Sequence, residues 1–174
     1  MEIKQYKIIV DKTAIFPQEV KNFGKAYCML GLVGEYQEFW QAESYEDKIK
    51  EMGDIFWYVT ALCREFGIRP ENTFPEMFDK DETVNISTEL ADLDSQKCIG
   101  HLSELIKKYY RDKTEPNIAQ IEKLIYDLVY SLYAITLNEN LSISLILSTN
   151  YAKLSKRKQT NTLQGSGDNR EEEV

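Results

Sequence analysis

The apolar positions of this chain recur mostly with the period of an α-helix. Between about residues 18 and 43 they follow the three- and four-residue spacing that marks one helix face. Ser44 is a suitable N-cap for a second helix, which is expected to end near Gly67. Residues 18–67 therefore predict a tight antiparallel helical hairpin. The apolar positions of its first helix are Val20, Phe23, Tyr27, Leu30 and Val33.

Three further helices are predicted in the second half of the chain. They run from about 96 to 112, from about 116 to 138 and from about 142 to 157. A connector with two prolines covers residues 68–95, and its second half could hold a short helix. A polar tail covers residues 159–174. At the other end of the chain, residues 1–16 include the stretch "IKQYKIIV" and predict a short strand or an extended arm.

A weak internal repeat relates the two halves. The stretch "GLVGE" at 31–35 matches "GHLSE" at 100–104, and "DIFWYVTAL" at 54–62 matches "DLVYSLYAI" at 127–135. Two similar hairpins usually stack to bury their apolar faces. We therefore predict one all-α domain over residues 1–174, with a four-helix core from two pseudo-repeated hairpins and an additional C-terminal helix. In this alignment Glu35 and Asp54 face Glu104 and Asp127, while Glu38 and Glu51 face Lys107 and Leu124.

Composition and charge narrow the classes of function. Only 8 glycines and 4 prolines favour long helices, and the net charge of −8 disfavours a nucleic-acid-binding surface. The longest apolar runs are too short to span a bilayer, and the first residues lack the pattern of a signal peptide. Cys28, Cys63 and Cys98 have no metal-binding spacing and are expected to be reduced core cysteines. We expect a cytoplasmic protein that binds neither nucleic acid nor membrane.

Four carboxylates of the first hairpin are spaced so that they converge. Glu35 and Glu38 share one helix face, and Glu51 and Asp54 repeat that spacing on the partner helix. At an effective dielectric of about 20, two such charges about 4 Å apart repel each other by about 4 kcal/mol. Protonation or a divalent cation would relieve this repulsion, and oxygen ligands select Mg²⁺, with Mn²⁺ as a substitute. The alternative is that these acids are solvated helix-surface residues.

The same segment resembles the signature of the MazG-like, all-α nucleoside triphosphate pyrophosphohydrolases. In "GLVGEYQEFW…EMGDIFWYV" an ExxE pair is followed by a short gap and an ExxD pair. The C-terminal stretch "STNYAKLSKRKQTNTLQGSGDNRE" and the basic stretch "KKYYRD" at 107–112 are similar to further segments of that family. The chain departs from the family pattern in one respect. The basic stretch lies in the second copy of the internal repeat, whereas the four acids lie in the first copy.

The resemblance implies Mg²⁺-dependent hydrolysis of a nucleoside triphosphate to the monophosphate and pyrophosphate. Glu35, Glu38, Glu51 and Asp54 would hold the metal, and Glu38 or Glu35 would orient or deprotonate the attacking water. Further residues are candidates for substrate binding, although surface solubility is an alternative role for the basic ones. These candidates are Asn150, Lys153, Arg157, Lys107, Lys108, Arg111, Tyr58 and Arg170.

Several hypotheses about the second hairpin, the oligomeric state and the function remain open. The second hairpin either supplies cations to a shared active site or only supports the fold. A duplicated chain could complete the bundle alone, but a homodimer through leftover apolar faces also fits. Instead of an enzyme, the chain could be a non-catalytic nucleotide-binding sensor or a helical interaction module.

Overall fold

The chain folds into helices throughout the part that the structure describes. The structure is a computed structural model, and it describes residues 1–17, 23–74 and 84–164. Within these ranges no strand occurs, which confirms the all-α prediction. The helices are α1 Ile3–Thr13, α2 Phe23–Gln41, α3 Tyr45–Glu65, α4 Pro70–Thr73, α5 Thr88–Asp112, α6 Ile118–Asn138 and α7 Ile143–Gln159.

Helices α2 and α3 form the first predicted hairpin. Ser44 caps α3 as expected, because its hydroxyl accepts a hydrogen bond from the Asp47 amide at 3.0 Å. Helix α3 ends before Gly67, whose φ of +67° suits a glycine better than any residue with a side chain. Residues 18–22, where the first helix was expected to begin, lie outside the described residues.

Helices α5 and α6 form the second hairpin, and α5 is longer than predicted. It begins at Thr88 rather than near residue 96, so the connector ends at about residue 87. Ser87 caps α5 by accepting from the Leu90 amide at 3.3 Å. The sequence allowed only a separate short helix in this part of the connector, because its many polar residues obscure the buried face, which contains only Ala91 and Ser95. Residues 75–83 of the predicted connector lie outside the described residues.

The prediction of a strand or extended arm at the start of the chain is wrong. Residues Ile3–Thr13 form helix α1, which packs on α3 and α7. Its buried residues, Tyr6, Ile9, Val10 and Thr13, are spaced as one helix face. The indole nitrogen of Trp57 donates to the Thr13 hydroxyl at 2.9 Å, so α1 is tied to the middle of α3. Packing therefore overrides the local preference of its β-branched residues for a strand.

Contacts between helices fix the direction of the second hairpin relative to the first. The Tyr36 hydroxyl of α2 donates to an Asp92 carboxylate oxygen at 2.6 Å, near the start of α5. Near the end of α5, the Lys25 ammonium lies 4.7 Å from the centre of the Tyr109 ring. Helices α2 and α5 are therefore antiparallel. Helix α7 packs along α3 on the side where α1 also docks.

Buried apolar side chains from α1, α2, α3, α5, α6 and α7 form one core cluster, which Phe74 joins directly after α4. Cys28, Cys63 and Cys98 are buried free thiols, as predicted. Among the described residues, no helix combines the length and the apolar content that crossing a membrane requires. Beside this core, α2 and α3 carry the four acids of the first hairpin, and α7 packs against α3.

Candidate functional site

Three carboxylates from α2 and α3 converge at one place. Glu35 and Glu38 come from α2 and Glu51 comes from α3, and one carboxylate oxygen of each lies within 4.8 Å of the others. Glu38 is exposed, whereas Glu35 and Glu51 are partly buried. In the part of the chain that the structure describes, this is the one group of three or more acidic, histidine or cysteine ligands at such spacing.

Two glycines let the neighbouring helices approach α3 closely beside these acids. A Cβ atom on Gly31 of α2 would lie 2.1 Å from the Tyr58 ring of α3. A Cβ atom on Gly53 of α3 would lie 2.9 Å from the Cβ of Asn150 on α7. Side chains at either position would push the helices apart. Gly31 therefore permits the close approach of α2 to α3, and Gly53 permits that of α7 to α3.

The carboxylate of Asp54 points toward α7 and lies outside the group of three. Its Oδ1 accepts a hydrogen bond from Asn150 Nδ2 at 2.7 Å, and its Oδ2 accepts from Lys153 Nζ at 2.5 Å. The Lys153 side chain is only 9% exposed. Asp54 therefore forms a largely buried, charge-assisted pair that joins α3 to α7.

Tyr6 of α1 completes this hydrogen-bonded chain. Its hydroxyl is fully buried and donates to Asn150 Oδ1 at 2.7 Å, with the Gly53 carbonyl oxygen at 3.2 Å. This contact fixes the orientation of the Asn150 amide, so that the Nδ2 group faces Asp54. Sequence reasoning missed Tyr6. The available signal was the helical spacing of Tyr6 with Ile9, Val10 and Thr13.

Burial and the neighbouring acids raise the affinity of Glu35 for a proton. The pKa of Glu35 is raised to about 8, mainly by burial and then by the charges of Asp54, Glu38 and Glu51. A hydrogen bond with Glu51 adds to this shift. At neutral pH the Glu35 carboxyl therefore retains its proton unless a cation lowers its pKa.

The set of donor atoms fits a hard divalent cation. The three converging groups are all carboxylates, and such oxygens are the ligands of Mg²⁺ and Mn²⁺. Such a cation would also favour the ionised form of Glu35, whose pKa is raised mainly by burial and then by the neighbouring charges. Glu35, Glu38 and Glu51 could therefore hold Mg²⁺, with Asp54 next to them.

The basic residues of α5 lie far from these acids within one chain. Asp92 is at the level of Tyr36, beside Glu35, and Lys107 follows fifteen residues later, about 22 Å along the helix. The structure therefore does not bring this part of the second hairpin to the carboxylates. The exposed residues Lys107, Lys108 and Arg111 instead pair with the nearby acids Glu104 and Asp112.

The other residues predicted to bind substrate lie in different surroundings. Tyr58 is half-buried one turn after Asp54, with its ring against Gly31, and burial raises the pKa of its hydroxyl. Arg157 is buried one turn after Lys153 on α7. Arg170 lies outside the described residues. The structure thus brings together the four acids, Asn150 and Lys153, with Tyr58 and Arg157 one turn away.

Comparison with known proteins does not assign a function to this site. No protein-family model, no curated protein and no solved structure matches the chain. The interpretation of the site therefore rests on the contacts described above.

Replacing Tyr6 by phenylalanine tests the link between α1 and the site. Tyr6→Phe removes a buried hydroxyl and leaves Asn150 Oδ1 without this donor. We expect the free energy of unfolding to fall by about 1–2 kcal/mol, as measured by urea denaturation. The control is Tyr126→Phe, because the Tyr126 side chain is exposed. Equal effects of the two substitutions would contradict this role of Tyr6.

The raised pKa of Glu35 predicts a pH dependence of stability in the presence of a chelator. The folded-state pKa of about 8 lies above the ordinary value of 4.5, so between these pH values the folded state binds the extra proton. The contribution of Glu35 to stability is therefore full below about pH 4.5, falls as pH rises, and is lost above about pH 8.

Glu35→Gln measures this effect, because glutamine stays neutral at every pH. Relative to wild type, the variant should gain stability as the pH rises from about 5 to about 9. Urea denaturation at several pH values, in excess chelator, gives this difference. Glu43→Gln serves as the control, since Glu43 is exposed and outside the cluster. A difference that does not change with pH would rule out the proposed protonation of Glu35.

Proposed function

We propose that this protein is a Mg²⁺-dependent, MazG-like nucleoside triphosphate pyrophosphohydrolase. It would hydrolyse a ribo- or deoxyribonucleoside triphosphate between the α and β phosphates, releasing the monophosphate and pyrophosphate. The observation that carries the proposal is the meeting of three carboxylates with the Asp54–Lys153 pair on adjoining faces of α2, α3 and α7. Acidic ligands suit a metal, and an ammonium group suits phosphate.

The chemistry of the proposed reaction can be assigned to these side chains. Mg²⁺ held by Glu35, Glu38 and Glu51, and by Asp54 beside them, would neutralise phosphate charge and polarise the attacked phosphorus. Glu38 is the exposed member of the cluster, so it is the carboxylate best placed to accept a proton from water. The water oxygen adds to phosphorus, the anhydride bond between the α and β phosphates breaks, and pyrophosphate leaves.

The cations near the site favour α7 over α5 for contact with the outer phosphates. Lys153 lies beside Asp54, and Arg157 follows one turn later, whereas Lys107, Lys108 and Arg111 are remote within one chain. Lys153 would donate to phosphate oxygens and hold the triphosphate against the metal. This arrangement supports a site built mainly from the first hairpin and α7. The homodimer and the cytoplasmic location stay predictions.

Pyrophosphate release from a panel of nucleoside triphosphates with Mg²⁺ tests the proposed activity. Glu38→Gln should lower the turnover rate by about 100-fold or more, because a general base alone contributes at least that factor. Asp54→Asn should also lower turnover strongly, because it removes a negative charge from the metal site and the partner of Lys153. The matched controls are Glu104→Gln and Asp127→Asn, at the aligned positions of the second hairpin. Both control residues are partly exposed and pair with lysines on their own helices. They should leave turnover within about twofold of wild type.

Two results would point to the alternative functions. Measurable nucleotide affinity without any pyrophosphate release would indicate a non-catalytic sensor. Absence of both binding and release, in a folded protein with Mg²⁺ present, would indicate a helical interaction module. Equal loss of turnover in the site variants and in the controls would also contradict the assignment of the active site.

A further inference from the structure

Asp54 differs from the three converging acids because a cation of the protein already contacts it. Lys153 Nζ lies 2.5 Å from Asp54 Oδ2, and the Lys153 side chain is 9% exposed. Moving an ammonium group out of water is unfavourable unless a negative charge compensates it. Lys153 thus acts as a built-in counter-cation of Asp54.

The two hydrogen bonds that the Asp54 carboxylate accepts differ in how easily they can be broken. Asn150 is 1% exposed, donates to Oδ1, and is itself fixed by Tyr6 and by close packing against Gly53. Lys153 reaches Oδ2 with a flexible four-carbon side chain. Asn150 can therefore keep the carboxylate oriented while the lysine moves away from it.

A divalent cation on Asp54 would repel the Lys153 ammonium group at this distance. We propose that Lys153 and the divalent cation compete for the Asp54 carboxylate, so that metal binding releases the lysine. The released ammonium group would then contact the phosphates of the ligand, a step that rests on the proposed function. Lys153 would in this way make metal binding and phosphate binding depend on each other.

The inference is tested by Mn²⁺ binding to the full chain, measured by titration calorimetry without any nucleotide. Lys153→Gln removes the competing charge but keeps a hydrogen-bond donor. It should tighten the Mn²⁺ dissociation constant by about fivefold or more. The control is Lys156→Gln, which removes the same charge from an exposed position of α7 and should have little effect.

A double-mutant cycle separates competition for Asp54 from a general effect of charge. In an Asp54→Asn background, Lys153→Gln should no longer tighten Mn²⁺ binding, because the contested carboxylate is gone. Equal tightening in both backgrounds would overturn the inference, as would an unchanged or weaker affinity in Lys153→Gln alone. If wild type binds no Mn²⁺, the metal site of the proposed function fails as well.

A measurement on the wild-type chain avoids reliance on the folding of the variants. A small acylating reagent, followed by mass spectrometry, reports how accessible each lysine is. Mn²⁺ should increase the labelling of Lys153 relative to that of Lys156. An unchanged or lower ratio, at Mn²⁺ concentrations shown to bind, would overturn the release of Lys153. The labelling experiment does not depend on turnover. It can therefore contradict the release of Lys153 while the proposed enzymatic activity stands.

Discussion

The carboxylate of Asp54 holds together the three helices on which the rest of this region depends. It accepts hydrogen bonds from Asn150 and Lys153 of α7, and Asn150 is fixed in turn by Tyr6 of α1. A largely buried carboxylate without such partners would cost several kcal/mol. Helices α1 and α7 must therefore pack where they do for the acid to be tolerated inside the fold. Asp54 is then paired with a cation that α7 supplies.

A concentration of acids like this one works against folding. Burial and three neighbouring charges raise the pKa of Glu35 to about 8, which shows how poorly its ionised form is accommodated. Apolar residues at these positions would make a more stable bundle. Perturbed acids beside a core are more typical of functional sites than of structural ones. The first hairpin thus gives up stability at the place where the proposed chemistry would occur.

Much of the helical framework could be predicted because helix formation follows local spacing. The cap at Ser44 and the three-residue spacing of each acidic pair depend on neighbours in sequence, and the structure has them as predicted. Convergence of Glu35 and Glu38 with Glu51 follows from one short turn between two helices. These features depend on residues that are close in sequence and need no contact between distant segments.

Other features depend on packing between distant segments, which spacing does not encode. The strand-like composition of residues 1–16 gave no sign that α1 would dock on α3 and α7. Basic residues of α5 were grouped with the acids by resemblance, but the antiparallel direction of α2 and α5 separates them within one chain. The pairing of Asp54 with Lys153, across a large sequence separation, was likewise visible only in the folded chain.

That separation has a consequence for the order in which the site is made during synthesis. Lys153 follows Asp54 by 99 residues, so a ribosome working at about 5–20 residues per second adds it roughly 5–20 s later. During this interval the emerging α2–α3 hairpin carries its acids without the lysine that later accompanies them. Bound protons or ions from the surrounding solution balance that charge until α7 has been translated and packs against α3.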